Sequence, residues 1–311
     1  MTEALSQLKY VIFFAMVFFG IPIGYLFAKK YTWAEKIVFF FLIFFTARME
    51  DINFVSRETF RIATRGFEIG MVDILTSIIF LLYLNKKKDE IIKKKFPVSL
   101  IFFYIYFFFS LLSFFNSPVV LFSFFELFKM IRMMFFFIVV YNYLDDLKKL
   151  DLVVKFISFI IIYVFLIVLQ QKYLLGMFQA RGPFPHQNSL VMYVIIFTSI
   201  ILAYLMNRKD IYFPYWIAVF GMGAISIVST LSRAGMAVFA LSISTIMFLS
   251  ITSKINTRKI MVFFMILIGG ILVLYKASDS IIERFKTAPE EFCILKRKVL
   301  PKKTRIWDRR S

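Results

Sequence analysis

Long apolar stretches alternate with short polar ones along almost the whole chain. A helix that crosses a bilayer needs about 20 mostly apolar residues. The pattern predicts ten such segments, at roughly 10–28, 32–47, 67–84, 97–115, 119–143, 152–171, 187–206, 212–230, 234–252 and 259–276. The second is the weakest, because its apolar core is short. We therefore expect an all-α bundle of about ten transmembrane helices without an extended sheet, because lipid admits only helices and closed barrels.

The charges of the connecting loops predict the orientation. The 85–96 loop contains six lysines, which is the strongest cytoplasmic signal in the chain. Counting outward from it, the loops at 144–151, 207–211 and 253–258 are predicted to be cytoplasmic as well. The N-terminus and the loops at 48–66, 116–118, 172–186 and 231–233 are then predicted to face the outside.

Composition supports a polytopic membrane protein. Hydrophobic residues make up 60% of the chain, and 43 residues are Phe, whereas soluble domains are about 45–50% apolar. The net charge of +19 lies mostly in short loop runs, so we assign it to orientation and anionic lipid and not to nucleic acid. The single cysteine, Cys293, excludes an intrachain disulfide, and the single histidine, His186, excludes a multi-histidine metal site. No cofactor or metal is expected.

The 48–66 loop carries Arg57, Arg61 and Arg65 at intervals of four residues. A helix would align these arginines on one face. One interpretation is therefore an interfacial amphipathic helix. A solvated connecting loop is an equally good interpretation of the same residues.

The fifth apolar segment contains three charged residues, Glu126, Lys129 and Arg132, spaced three apart on one helix face. An arginine near the middle of a membrane span costs about 2.5–3.5 kcal/mol to insert, so this face should meet the bundle interior or a cavity. One interpretation is a structural set of ion pairs, with Glu126 bound to Lys129 and Arg132 bound to carbonyls or to another helix. Glu68 and Asp73 are the candidate acidic partners. The other interpretation is a functional site.

Two short polar segments interrupt the apolar pattern. The first polar segment is residues 181–189, RGPFPHQNS, and the second polar segment is residues 231–235, LSRAG. An arginine at the edge of a membrane helix usually has an anionic partner or a water-filled cavity. Both segments are predicted on the outer face, so we expect Arg181 and Arg233 to share one cavity that binds phosphate or pyrophosphate.

These two segments resemble the signature of the O-antigen ligase and polymerase superfamily, as does the stretch around Arg284. The resemblance implies transfer of a glycan from an undecaprenyl diphosphate carrier, at the periplasmic face of the bacterial inner membrane. The acceptor would be lipid A-core or a growing glycan. Arg181 and Arg233 would bind the diphosphate, and the supporting polar residues would be His186, Asn188, Ser232 and Arg284. The implied partners are the undecaprenyl-diphosphate-linked glycan and membrane lipid.

The end of the sequence departs from this family. Residues 292–311 hold eight Lys or Arg against one acid, where the family continues with a histidine-bearing loop and further spans. We expect residues 1–290 to form one transmembrane domain and residues 291–311 a basic tail that results from truncation or a frameshift. The chain would then be an inactive N-terminal fragment. A cytoplasmic lipid-binding arm is the alternative interpretation of the tail.

A transporter or lipid-linked-sugar flippase is the competing function. Flippases also need membrane-buried cations, such as Lys129 and Arg132, around a central cavity. Two features favour the transferase: the arginine segments lie at one membrane face, and no internal inverted repeat is visible.

Overall fold

The computed structural model describes residues 2–48, 51–55, 67–86, 98, 100–117, 120–144, 146–207, 212–251, 257 and 259–271, and most of them are helical. The helices are α1 (Thr2–Ala15), α2 (Ile21–Lys30), α3 (Thr32–Ala47), α4 (Met71–Lys86), α5 (Leu100–Phe114), α6 (Val120–Tyr143), α7 (Leu147–Leu169), α8 (Gln187–Asn207), α9 (Phe213–Ser229), α10 (Arg233–Ile251) and α11 (Lys259–Ile271). Each of the ten predicted apolar segments contains helix. Two π-helical turns, Met16–Gly20 and Gln170–Leu174, join α1 to α2 and extend α7.

Four helical stretches of the described chain are long and apolar enough to cross a membrane. They are Tyr10–Lys30, Leu147–Leu174, Gln187–Asn207 and Arg233–Ser250. Four shorter apolar helices accompany them: Met71–Asn85, Leu100–Phe114, Phe213–Ser229 and Lys259–Ile271. The structure thus agrees with a mainly helical membrane protein, whereas the count of ten spans stays a prediction.

An antiparallel hairpin corrects two predictions. Strands β1 (Asp51–Val55) and β2 (Phe67–Gly70) pair with Asp51 opposite Gly70. This pair of short strands is not the extended sheet that the apolar pattern excluded. The amphipathic-helix interpretation was wrong for the part of 48–66 that β1 occupies. The third apolar segment correspondingly begins as a strand, and α4 begins only at Met71. The three arginines at 57, 61 and 65 lie outside the described residues.

The start of α4 has a local cause. The Asp73 Oδ2 atom accepts a hydrogen bond of 2.7 Å from the backbone N–H of Gly70. A carboxylate that reaches back from the first turn satisfies a donor that the helix itself leaves open. This contact ends the strand and begins the helix.

The chain divides into two compact units, Met1–Ile160 and Ile161–Ser311. The expectation of one transmembrane domain over residues 1–290 stays a prediction. The same holds for the basic tail at 291–311, because residues 272–311 lie outside the described part of the chain.

Helix directions within the first unit follow from its side-chain contacts. Phe80 of α4 packs on Phe135 of α6, with ring centroids 5.3 Å apart. Further along both helices, the Tyr83 hydroxyl donates to Asn142 Oδ1 at 3.4 Å. These two helices are therefore parallel. Parallel neighbours separated by one further helix are what successive crossings of a membrane would produce.

In the second unit, α8 runs antiparallel to α9 and parallel to α10. Tyr204 near the end of α8 packs on Trp216 near the start of α9, with ring centroids 4.9 Å apart. Near the start of both α8 and α10, a Cβ atom added to Gly235 would lie 2.4 Å from Val191 Cγ1. The amino-terminal ends of α8 and α10 therefore lie side by side, and this arrangement positions the candidate site.

Candidate functional site

The first polar segment is held by the side chain of Gln171, which lies in the π-helical turn after α7. Its Oε1 atom accepts hydrogen bonds from the backbone N–H groups of Arg181, at 2.9 Å, and Gly182, at 2.8 Å. Its Nε2 atom donates to the Gly182 carbonyl oxygen, at 2.8 Å. One side-chain amide thus pairs with three backbone groups of a loop, where no regular secondary structure provides partners for them.

Gly182 permits the turn that follows. Its φ angle is +59°, a conformation that costs a side chain roughly 1–2 kcal/mol. A Cβ atom at this position would also lie 3.0 Å from Leu190 Cδ1. The turn closes where the Phe184 N–H donates to the Arg181 carbonyl oxygen at 3.2 Å, so the segment folds back at the arginine.

His186 caps the start of α8. Its Nδ1 atom accepts a hydrogen bond of 3.2 Å from the backbone N–H of Asn188. A neutral imidazole that accepts at Nδ1 carries its proton on Nε2, where it can only donate. In this arrangement His186 acts as a helix cap with one outward donor, and it is exposed.

The second polar segment follows the end of α9. The Thr230 Oγ1 atom donates to the Ile227 carbonyl oxygen at 2.6 Å and accepts from the Ser232 N–H at 3.3 Å. Leu231, between them, is buried and has a φ angle of 51°. Non-glycine residues in this conformation carry strain and cluster at functional sites. The strained turn places Ser232 directly before α10 and Arg233 at its first position.

Ser232 joins the two polar segments. Its Oγ atom accepts from the Gly235 N–H at 3.3 Å, which caps α10, and it donates to Asn188 Oδ1 at 3.2 Å, which ties it to α8. A second link runs from the Ala180 N–H to the Ser229 carbonyl oxygen at 3.2 Å. The two loops are thus connected at two points.

The connected loops, which we call the arginine site, gather positive charge. Arg181 adjoins Ala180 and Arg233 adjoins Ser232, so each arginine lies one residue from a link between the loops. The amino-terminal ends of α8 and α10 add partial positive charge at the same place. Neither residues 171–189 nor residues 229–236 contain an acid. Phosphate oxygens bind well to guanidinium groups and to the partly positive amino-terminal ends of helices.

The described part of the first unit contains both ion pairs expected of α6. Arg132 binds Asp73 through two bonds, Nε to Oδ1 at 2.9 Å and Nη2 to Oδ2. Lys129 Nζ lies 2.9 Å from Glu126 Oε1. The side chains of the first pair are 19% and 22% exposed, and those of the second are 28% and 48% exposed. Each of the three charged residues of α6 therefore has an ion-pair partner, as the structural interpretation requires.

The sequence analysis missed Gln171, and it gave no individual role to Gly182 or Leu231, although both lie within the two polar segments. Gln171 belongs to a Gln-Gln pair at the end of an apolar stretch, and such a pair is a modest hint of a polar contact. Gln171 acts through contacts with residues ten and eleven positions further along the chain, whereas Gly182 and Leu231 act through their backbone conformation. A sequence pattern identifies neither kind of role. Arg284, a predicted supporting residue, lies outside the described residues.

Comparisons of the chain with protein-family models, with curated proteins and with solved structures find no match. The resemblance to the ligase and polymerase superfamily therefore depends on the two polar segments and their order.

The contact between α8 and α10 gives a testable prediction. In Gly235→Ala the new methyl group meets Val191 Cγ1, and we expect a loss of about 1–2 kcal/mol in the free energy of unfolding. Val191→Ala in the same chain should restore part of this loss, because it removes the obstructing carbon. Thermal unfolding of the four variants of this cycle in detergent measures the coupling. Strictly additive effects would contradict the contact.

Proposed function

We propose that the arginine site binds the diphosphate of a lipid-linked glycan, and that the protein belongs to the membrane glycan transferases of the O-antigen ligase and polymerase type. The observation that carries the proposal is the double link between the two arginine loops, Ala180 to Ser229 and Asn188 to Ser232. Two arginine segments 50 residues apart are joined at the start of two helices. A diphosphate is the ligand whose charge and length match two guanidinium groups.

In this proposal the chain crosses the bacterial inner membrane about ten times, with the arginine site on the periplasmic face. Ion pairing supports a spanning role for α6, although it carries three charges: Arg132 is bound by Asp73 and Lys129 by Glu126. Paired charges cost less to bury in lipid than isolated ones. The paired cations also weaken the flippase alternative, because they are not open to a passing anion.

The proposed reaction moves a glycan from the carrier to an acceptor hydroxyl. The acceptor oxygen forms a new bond to the anomeric carbon while the bond between that carbon and the diphosphate oxygen breaks. The proton of the acceptor hydroxyl passes to solvent water, and negative charge develops on the leaving diphosphate. Arg181 and Arg233 would stabilise that charge, which is where electrostatic catalysis has its largest effect. His186 is oriented as a donor by its bond to the Asn188 N–H, so we assign it to the diphosphate side and not to removal of the acceptor proton.

Binding of inorganic pyrophosphate to the purified protein tests the site. We expect Arg181→Ala and Arg233→Ala each to weaken the affinity about 10- to 100-fold, which corresponds to one charge-assisted contact. The corresponding lysine variants should lose less affinity, because lysine keeps the positive charge and lacks only the two-pronged hydrogen-bonding geometry of the guanidinium group. Lys155→Ala, which removes an exposed cation of the first unit, is the matched control. Alanine variants that bind as tightly as the unsubstituted protein would rule out the diphosphate role.

A second assay separates a transferase from a transporter. The protein, reconstituted in vesicles, receives a lipid-linked glycan and candidate acceptors, and ligated or polymerised glycan is measured. Product that disappears in Arg233→Ala supports the transferase. Movement of the lipid-linked glycan across the vesicle membrane without any product would favour the transporter instead.

A further inference from the structure

An exposed apolar loop joins α7 to the first polar segment. Residues 173–178, which we call the YLLGMF loop after their sequence, form the end of the π-helical turn and the bend that follows it. Tyr173 is 73% exposed and Leu174 is 79% exposed, and the side chains of Leu175 and Phe178 are exposed as well. Large apolar side chains that are exposed together mark a contact surface.

Two backbone N–H groups of this loop are bonded within the protein. The Leu175 N–H donates to the Gln170 carbonyl oxygen at 3.0 Å, and the Met177 N–H donates to the Gln171 carbonyl oxygen at 2.9 Å. Gly176, between them, has a φ angle of +60°, which lets the chain bend back. A loop in water can bond its backbone to solvent, whereas a loop in contact with lipid must provide partners itself. This pairing favours a lipid contact.

Lys172 lies across the same loop. Its Nζ atom donates to the Phe178 carbonyl oxygen at 2.8 Å and lies 5.6 Å from the centroid of the Phe178 ring. Lysines at a membrane boundary place their alkyl stem on apolar surface and their ammonium at its edge. Tyrosines such as Tyr173 are enriched at that boundary. Residues 170–180 contain no acid that would repel lipid phosphate.

The length of the helix before the loop indicates its depth in a bilayer. The apolar stretch Leu147–Leu174 has 28 residues, or about 42 Å, which exceeds the ~30 Å hydrocarbon layer. The excess lies at the amino-terminal end, because that end carries four charged residues that need polar surroundings: Lys148, Lys149, Asp151 and Lys155. The 19 residues from Phe156 to Leu174 extend for about 28 Å. Leu174 therefore lies close to the level at which hydrocarbon meets the headgroups.

We propose that the YLLGMF loop is an interfacial anchor whose exposed side chains insert between the headgroups and the acyl chains of the bilayer. The partner is the phospholipid surface, because the loop lies at its depth and carries the apolar, aromatic and lysine side chains that fit it. Arg181 follows Phe178 by three residues, so the anchor holds the first polar segment at the headgroup layer. The inference concerns the membrane contact of the loop and does not depend on the ligand of the arginine site.

Spin-label accessibility tests the anchor. The full chain, in phosphatidylcholine nanodiscs, carries Cys293→Ser and one nitroxide-labelled cysteine, and the collisions of the label with oxygen and with a water-soluble nickel chelate are measured. The label is placed at Leu174→Cys. The reference positions are Leu166→Cys, on an exposed part of α7 two turns earlier, and Pro185→Cys, exposed in the first polar segment.

We expect the label at 174 to collide with oxygen nearly as often as the label at 166. It should collide with nickel about fivefold less often than the label at 185, because an interfacial segment lies roughly 5–10 Å into the boundary. Nickel collisions as frequent as at 185 would place the loop in water and overturn the inference. Few collisions with either reagent would also overturn it, because they would show a protein partner covering the loop.

Leu174→Asp tests the anchor by a second measurement, hydrogen–deuterium exchange of peptides that cover 173–180 in the same nanodiscs. The carboxylate should draw the loop out of the boundary and raise exchange there about tenfold. Leu174→Phe, which keeps an apolar side chain at the same exposed position, is the matched control and should leave exchange unchanged. An aspartate variant with unchanged exchange would contradict the anchor. So would an equal rise throughout α8, because it would show a general disturbance of the second unit.

Discussion

Arg132→Met is expected to destabilise the protein by about 3 kcal/mol. The substitution leaves the Asp73 carboxylate without the two bonds from Arg132. Removing one partner of a buried ion pair typically costs 3–5 kcal/mol, and the lower end applies because both side chains are about one-fifth exposed. Asp73→Asn should cost less, because its side-chain oxygen can still accept from the Gly70 N–H. Equilibrium unfolding in mixed detergent micelles, followed by circular dichroism, measures both.

The double variant Asp73→Asn/Arg132→Met removes both charges and should recover about 2 kcal/mol relative to the sum of the single losses. The Glu126–Lys129 pair is the matched control on the same helix face. That pair is more exposed, so its coupling should be about 0.2–1 kcal/mol. Equal coupling energies for the two pairs would contradict a structural role for Arg132 in the first unit.

Gln171→Leu is expected to release the first polar segment while the rest of the second unit stays folded. Three hydrogen bonds are lost, from the N–H groups of Arg181 and Gly182 and to the Gly182 carbonyl oxygen. At about 1 kcal/mol each, their loss should raise amide exchange at Arg181 and Gly182 about a hundredfold through local opening. Hydrogen–deuterium exchange of peptides that cover 177–190 measures this directly.

Gln170→Leu is the natural control for this prediction. Gln170 directly precedes Gln171, has the same side chain and is exposed. Its backbone carbonyl oxygen accepts a hydrogen bond from the Leu175 N–H. That bond survives the substitution, so exchange in 177–190 should not change. Gln171→Leu should also weaken pyrophosphate binding, because Arg181 then has to be ordered on binding. Unchanged exchange in Gln171→Leu would show that the amide does not hold the loop.

The ion pairs of α6 illustrate how far a sequence can be interpreted. The spacing of Glu126, Lys129 and Arg132 placed them on one face, and the cost of burying charge required partners for them. Asp73 was identifiable because few acids lie in neighbouring apolar segments. The hairpin was not identifiable, because the arginine spacing at 57, 61 and 65 fits a helix and the pairing of β1 with β2 is not local.

The sequence pointed to the arginines of the arginine site, but it did not predict the contacts that join their loops. Arg181 and Arg233 stood out because charge is rare in an apolar chain, which is a property of composition and order along the sequence. The contacts that join their loops, Asn188 to Ser232 and Ala180 to Ser229, connect positions about 45 residues apart. Only a given packing of α8, α9 and α10 creates them.

The sequence by itself determined the helical segments, because lipid requires each spanning backbone to satisfy its own hydrogen bonds within about 20 residues. Such local requirements are written in the apolar pattern. The tertiary structure alone decided the close contact at Gly235 and the clamp by Gln171. Each of these depends on the distance between helices, which is set by how side chains from separate segments pack and not by any single segment.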